Sequence, residues 1–182
     1  MKKAIGLMEL KSIPIGIETA DEMLKAANVD LIMANPICPG KYMILISGDV
    51  GAVKSSIETG KKVADIFLVE YHIINNVHED VLISLSGYSE IDKVKSIGAI
   101  ETISALTAIK AGDVAVKASN VKLIETRIAK GLGGKGFLIL TGEVSAVKSA
   151  IKSCLNELGE SGSIISTSVI SSPHRSLIEK LR

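Results

Sequence analysis

The residue best placed to do chemistry in this chain is Cys38, set in Ile37-Cys38-Pro39-Gly40-Lys41. Pro36 and Pro39 bracket it and restrict the backbone on both sides, so a short stiffened loop presents the thiol. Only one other cysteine, Cys154, is present, far away in sequence, and Met1-Lys2-Lys3 leads straight into a strand-like segment rather than a signal peptide. A reducing cytoplasm is therefore expected, where Cys38 is a thiol or a metal ligand and not half of a disulfide. On the residues alone both readings stay open, because a free cysteine is commonly a small buried hydrophobe. Cys154 stands at helical spacing from Ala150 and reads as such a buried thiol. His78 and His174 lie in matching settings, Val77-His78-Glu79 and Pro173-His174-Arg175, and read as cap or interface residues. His72 stands alone with a structural role, and no spacing among the three histidines suggests a metal site.

A second loop invites a different chemistry. Gly131-Leu132-Gly133-Gly134-Lys135 resembles a phosphate-binding loop in composition, but it lacks the Gly-x-x-x-x-Gly-Lys-Ser/Thr pattern and joins two strands instead of opening a helix. Glycines where backbones approach closely explain it better. With no nucleophile elbow, no paired loop carboxylates and no placeable Ser-His-Asp set, the sequence carries no catalytic site, and the expectation is a protein that is not an enzyme.

The elements that position these loops come in duplicate. Residues 4–33 align with 96–125 at an offset of 92 with 12 of 30 pairs identical, and 40–57 align with 134–151 at an offset of 94 with 9 of 18 identical. The offset slips where Ala34-Asn35-Pro36-Ile37-Cys38-Pro39 is answered by the longer stretch 126–133. Two domains are expected, 1–87 and 94–182, the Cys38 loop belonging to the first, with Gly87-Tyr88-Ser89-Glu90 as linker. In each copy the apolar patterning predicts the same order of elements. For the first copy these are a strand over 4–10, a helix over 13–27 with Ile13, Ile17, Ala20, Met23, Leu24 and Ala27 as its stripe, strands over 29–34 and 42–47, and a helix capped by Asp49 with Val53, Ile57, Val63 and Ile66 inward. A strand over 68–75 and a short helix over 79–85 complete the unit. This mixture predicts an α+β fold, with helices on one face of a largely antiparallel sheet.

Composition narrows the class. The chain is 47% hydrophobic but only 3% aromatic, lacks Trp, and has a mean hydropathy of +0.37 without an uninterrupted apolar run of membrane-spanning length. Formal net charge is +1 with no basic run, so neither a nucleic-acid partner nor a membrane is expected. Apolarity of this kind points to strand-rich cores and extensive subunit contacts.

The pattern Ala4 to Leu10, then Asp21-Glu22-Met23-Leu24-Lys25-Ala26-Ala27-Asn28-Val29, then Gly40-Lys41 and Gly48-Asp49-Val50-Gly51-Ala52-Val53, resembles the bacterial microcompartment (BMC) shell domain. Its recurrence through Asp113, Lys117, Asn120, Gly134-Lys135 and Gly142-Glu143-Val144 marks a tandem-BMC chain, most similar to the T-type shell subunits of propanediol-utilisation compartments. The resemblance implies a ferredoxin-like variant fold, a homotrimer that mimics a hexamer (a pseudohexamer), a place in the shell of a compartment in the cytoplasm, and other BMC shell proteins and encapsulated redox enzymes as partners. It implies a central pore lined alternately by Ile37-Cys38-Pro39-Gly40 and by Lys130-Gly131-Leu132-Gly133-Gly134, and shell-edge contacts through Lys25 and Lys117. It also implies an iron–sulfur centre. A cluster needs about four thiolates, and on a threefold axis three copies of Cys38 would ligate three irons of a 4Fe-4S cluster, one per trimer, for electron transfer or cluster transfer across the shell. The alternatives are a shell protein with an open metabolite pore in which Cys38 is incidental, and a small-molecule-sensing trimer.

Overall fold

The computed structural model describes residues 4–87, 94–128 and 131–181. In the first copy β1 (Ala4–Leu10) is followed by α1 (Ile13–Ala26), β2 (Val29–Ile37), β3 (Lys41–Gly48), α2 (Val50–Ala64), a 3-10 turn at Asp65–Phe67, β4 (Leu68–Ile74) and α3 (Glu79–Ser86). The second copy runs β5 (Ser96–Thr102), α4 (Ala105–Ala118), β6 (Val121–Ile128), β7 (Gly136–Gly142), α5 (Val144–Leu158), β8 (Ile164–Ile170) and α6 (Arg175–Ile178). Each copy forms an antiparallel four-stranded sheet, ordered β2-β3-β1-β4 and β6-β7-β5-β8, which is the α+β arrangement expected from the patterning.

Local chemistry explains the boundaries. Ser12 caps α1 by accepting from the Ile15 amide at 3.5 Å, with Pro14 in the first turn where no amide donor is needed. Ser104 repeats the cap on α4, accepting from the Thr107 amide at 3.1 Å. His78 and His174 cap α3 and α6 identically: each ring Nδ1 accepts a backbone amide two residues on, at 3.2 Å in both copies. Asp49 stands at the start of α2 without a side-chain hydrogen bond to the helix, so the expected cap is positional only.

The first core lies between the sheet and its two helices. Met8, Leu10, Ala20, Met23, Tyr42, Ile44, Ile46, Val53 and Ile57 pack together, and each fully buried aliphatic side chain contributes about 1.5–3 kcal/mol. The Ser56 hydroxyl donates to the Met23 carbonyl at 2.8 Å and ties α2 to α1. The expected stripe on α1 is only partly inward. Ala20 and Met23 are buried, whereas Ile13 and Ile17 are exposed, because they sit on the side of α1 turned away from this core. Ile66, expected to extend the α2 stripe, is likewise exposed on the 3-10 turn.

Packing divides the chain at 77/78, into Met1–Val77 and His78–Arg182, whereas the sequence repeat divides it near Gly87. The short helix α3 makes the difference, since it packs on β6 and α4. Val81 is fully buried, the Ser84 and Thr126 hydroxyls lie 2.8 Å apart, and the His78 amide donates to Asp113 Oδ1 at 2.9 Å.

Candidate metal-binding loop

Cys38 sits at the tip of the β2–β3 hairpin. Ile37 pairs with Lys41, which leaves Cys38-Pro39-Gly40 as a three-residue connection. The turn closes through Gly40 at φ +67°, a backbone state that suits a residue without Cβ. Pro36 is tolerated inside the ladder because β2 is an edge strand. Cys38 is a free, exposed thiol, and so are Pro39 and Gly40 exposed, while Ile37 is buried and anchors the loop's first leg. The sulfur is therefore held on a braced base and projected outward.

Two features brace that base. Tyr42, 6% exposed, donates from its hydroxyl to the Ala34 carbonyl at 2.9 Å, linking β3 to β2 across the hairpin. Its ring lies against Gly16 of α1, where a Cβ would come within 2.4 Å of Tyr42 Cδ1. Next to the loop, Lys41 Nζ is paired with Glu9 Oε1 on the neighbouring strand β1. Glu9 is completely buried and its Oε2 has no hydrogen-bond partner, so Lys41 is what balances this carboxylate. Sequence reading singled out neither Tyr42 nor this pair. The signal for the pair was present, since Glu9/Glu101 and Lys41/Lys135 are identical in the two copies.

The counterpart loop in the second copy is built differently. Ile128 pairs with Gly136, so seven residues span the turn, and Gly131, Gly133 and Gly134 take φ of +73°, +62° and +92°. The Lys135 amide donates to the Leu132 carbonyl at 3.2 Å. Gly131 and Gly133 are exposed, Leu132 is half-buried and Gly134 is buried; Lys130 lies outside the described residues. Gly136 replaces the tyrosine, and the facing helix carries Ala108 where the first copy has Gly16. Lys135 and Glu101 pair at 3.1 Å, but with side chains 49% and 39% exposed.

The remaining candidates fall elsewhere. Lys25 ends α1 as an exposed cation 2.5 Å from Asp21 and 3.0 Å from Glu22, and these hydrogen bonds push its pKa up. Lys117 holds the same place on α4, 2.5 Å from Asp113. Cys154 is buried and donates its thiol to the Ala111 carbonyl at 3.3 Å; burial, helped by the nearby Glu157 charge, pushes its pKa up to about 12, which keeps it an inert thiol. His72 contacts Glu70 at 2.7 Å and is half-buried. Among the described residues, no three His, Cys, Asp or Glu side chains come together as a metal site. Cys38 thus offers one thiolate per chain, a donor that fits an iron–sulfur centre only as an equal share from several copies.

No helix among the described residues is long and apolar enough to cross a membrane. The BMC domain family matches the chain twice, over residues 4–77 and 96–173. The chain is 44% identical to the bacterial microcompartment shell protein PduT of Citrobacter freundii, covering 97% of this chain and 96% of that protein. The shorter shell protein PduA of the same organism matches 44% of this chain at 37% identity, with 88% of its own length covered. Among solved structures, a microcompartments protein from Desulfitobacterium hafniense superposes with a TM-score of 0.91 at 45% identity, over 98% of this chain and 99% of the other. Two matched copies in tandem, each with the four-stranded sheet described above, place this chain in the BMC domain family.

Proposed function

We propose that the chain is a structural subunit of a bacterial microcompartment shell, assembling with other BMC shell proteins, and that three copies join so that their Cys38 thiolates meet on an axis and hold one 4Fe-4S cluster. The observation that carries the metal reading is an exposed thiol on the tip of a braced three-residue hairpin, present in one copy of the repeat and absent from the other. A threefold axis supplies three such sulfurs from one residue. When bound, the cluster supplies one-electron chemistry, and its fourth iron stays open to water or another ligand.

The protein's own residues define what surrounds that centre. Pro36 and Pro39 limit the loss of freedom when three loops converge. Lys41 neutralises the buried Glu9 carboxylate one strand away, so the base of the loop carries no unbalanced negative charge beside the thiolates. The glycines Gly131, Gly133 and Gly134 line the alternate positions with backbone alone, and Lys25 and Lys117 contact neighbouring subunits at the shell edge. With the axis occupied by a cluster, the pore passes electrons and not bulky metabolites.

The test is an anaerobic absorbance and EPR spectrum of reconstituted protein beside Cys38→Ser, with iron counted per assembly. About four irons per three chains and a thiolate-to-iron band lost in the variant support the reading. An iron-free wild type under the same reconstitution overturns it and leaves an open metabolite pore between the two loops.

A further inference from the structure

Ile66, which helical periodicity turns inward, is 68% exposed, more than any other large apolar side chain among the described residues. It stands in the three-residue connection from α2 to β4, directly after Asp65, whose φ of 44° is costly for a residue that carries a Cβ. That sharp turn throws Ile66 outward. Val69 is the extra residue of an edge-strand bulge, between Leu68, which pairs with Leu10, and Glu70, which pairs with Glu9, and it too is exposed. Tyr71, two residues on, is exposed as well. Three lysines rim this corner. The Lys11 amide donates to the Phe67 carbonyl at 2.9 Å, Lys61 holds its ammonium 4.6 Å from the centre of the Tyr71 ring, and Lys62 is exposed in the last turn of α2.

The second copy turns the same corner with other materials. The Ile103 amide donates to the Ser163 carbonyl at 3.0 Å, as Lys11 does to Phe67, but five residues join α5 to β8 and none of them is a large apolar residue. The places of Lys11, Lys61 and Lys62 are taken by Ile103, Leu155 and Asn156, with Glu157 and Glu160 following. Ile103, Leu155 and Ile165 are exposed. Apolar surface is thus open at both corners, and only the first gives it a cationic rim. We infer that the first-copy corner docks an acidic peptide whose apolar side chains lie on Ile66, Val69 and Tyr71 and whose carboxylates meet Lys11 and Lys62. The bulge at Val69 interrupts the open edge of β4, so the peptide is held by its side chains and not as an added strand. Of the corner's own carboxylates, Glu58 is paired with Lys61 at 3.0 Å, which leaves Asp65 against two cations. Charge therefore selects an acidic occupant over a basic one, and it rejects the same peptide at the second corner. All the residues of the docking corner lie within Met1–Val77, so binding there requires neither the cluster nor a second chain.

The test is fluorescence anisotropy of the full chain with two labelled peptides of about ten residues, leucine and phenylalanine set among glutamates in one and among lysines in the other. The acidic peptide is expected to bind with a Kd of about 10–100 μM and the basic one at least about tenfold more weakly. Ile66→Ser and the pair Lys11→Glu/Lys62→Glu, at exposed positions and with unchanged circular dichroism, are each expected to weaken the acidic peptide at least about tenfold. The charge reversal is also expected to strengthen the basic one. Ile103→Ser, at the second corner, is expected to change neither affinity. Equal affinities for the two peptides, no binding below about 1 mM, wild-type affinity in the Ile66 and lysine variants, or a loss confined to Ile103→Ser would each overturn the docking. So would a native mass that falls in Ile66→Ser while the acidic peptide fails to bind, which would make the corner a contact between copies of the chain.

Discussion

The two hairpins that follow β2 and β6 start from one ancestral plan and solve it with opposite materials. In the first, a tyrosine ring fills the gap that Gly16 leaves on the helix, and its hydroxyl clamps β2 to β3 beneath a three-residue tip. In the second, the bulk has moved to the helix as Ala108, the strand carries Gly136, and the seven-residue connection 129–135 includes three glycines, Gly131, Gly133 and Gly134. The Glu–Lys pair beside each loop follows the same division, sealed at Glu9–Lys41 and open at Glu101–Lys135. A duplicated scaffold can thus keep its backbone while one copy is stiffened to present a side chain and the other is stripped to backbone.

The largest effect expected from this contrast lies in the ion pairs. Lys41→Met leaves the Glu9 carboxylate buried and unbalanced, and is expected to destabilise the metal-free protein by about 3–5 kcal/mol. Lys135→Met breaks an exposed pair and should cost less than about 1 kcal/mol. Urea unfolding of both variants checks this, and equal losses would show that the two pairs are not energetically different.

The next largest effect concerns the bulk exchange between helix and strand. Gly16→Ala drives a methyl into the Tyr42 ring, at a cost of about 1–3 kcal/mol. In a Tyr42→Gly background, which reproduces the second copy's arrangement, the same substitution is expected to be close to neutral or stabilising. A double-mutant cycle measures this coupling, and additive losses would break the comparison.

A smaller effect separates the two aspartates. Asp113→Ala removes the buried partner of the His78 amide and is expected to cost about 1–3 kcal/mol in a urea melt. Asp21→Ala, on an exposed helix face, should cost less than about 1 kcal/mol.

The smallest effect is on the thiols. At pH 8 the native, metal-free chain should react with a thiol reagent once, at Cys38, and expose Cys154 only on unfolding. The folded chain holds the Cys154 proton up to about 12, above its ordinary value of 9.0. Between those values the unfolded state releases a proton that the folded state keeps, so stability falls as pH rises through this window and is unaffected below it. Alkaline melts of wild type and Cys154→Ala would display the difference.

The amino-acid sequence by itself determined the duplication, the order of strands and helices, the hairpin that carries Cys38 and the family, because these rest on local patterning, turn residues and motif order that each short stretch carries with it. Its α1 stripe included Ile17 and its α2 stripe included Ile66, both of which are exposed, since periodicity shows which residues share a helix face and not what covers that face. Only the tertiary structure decided that Ile109 is buried and Ile17 open, that Glu9 is sealed and Glu101 wet, and that α3 packs with the second unit. Identical residues met different fates because burial belongs to the surroundings that distant segments provide, and no residue's own type specifies them.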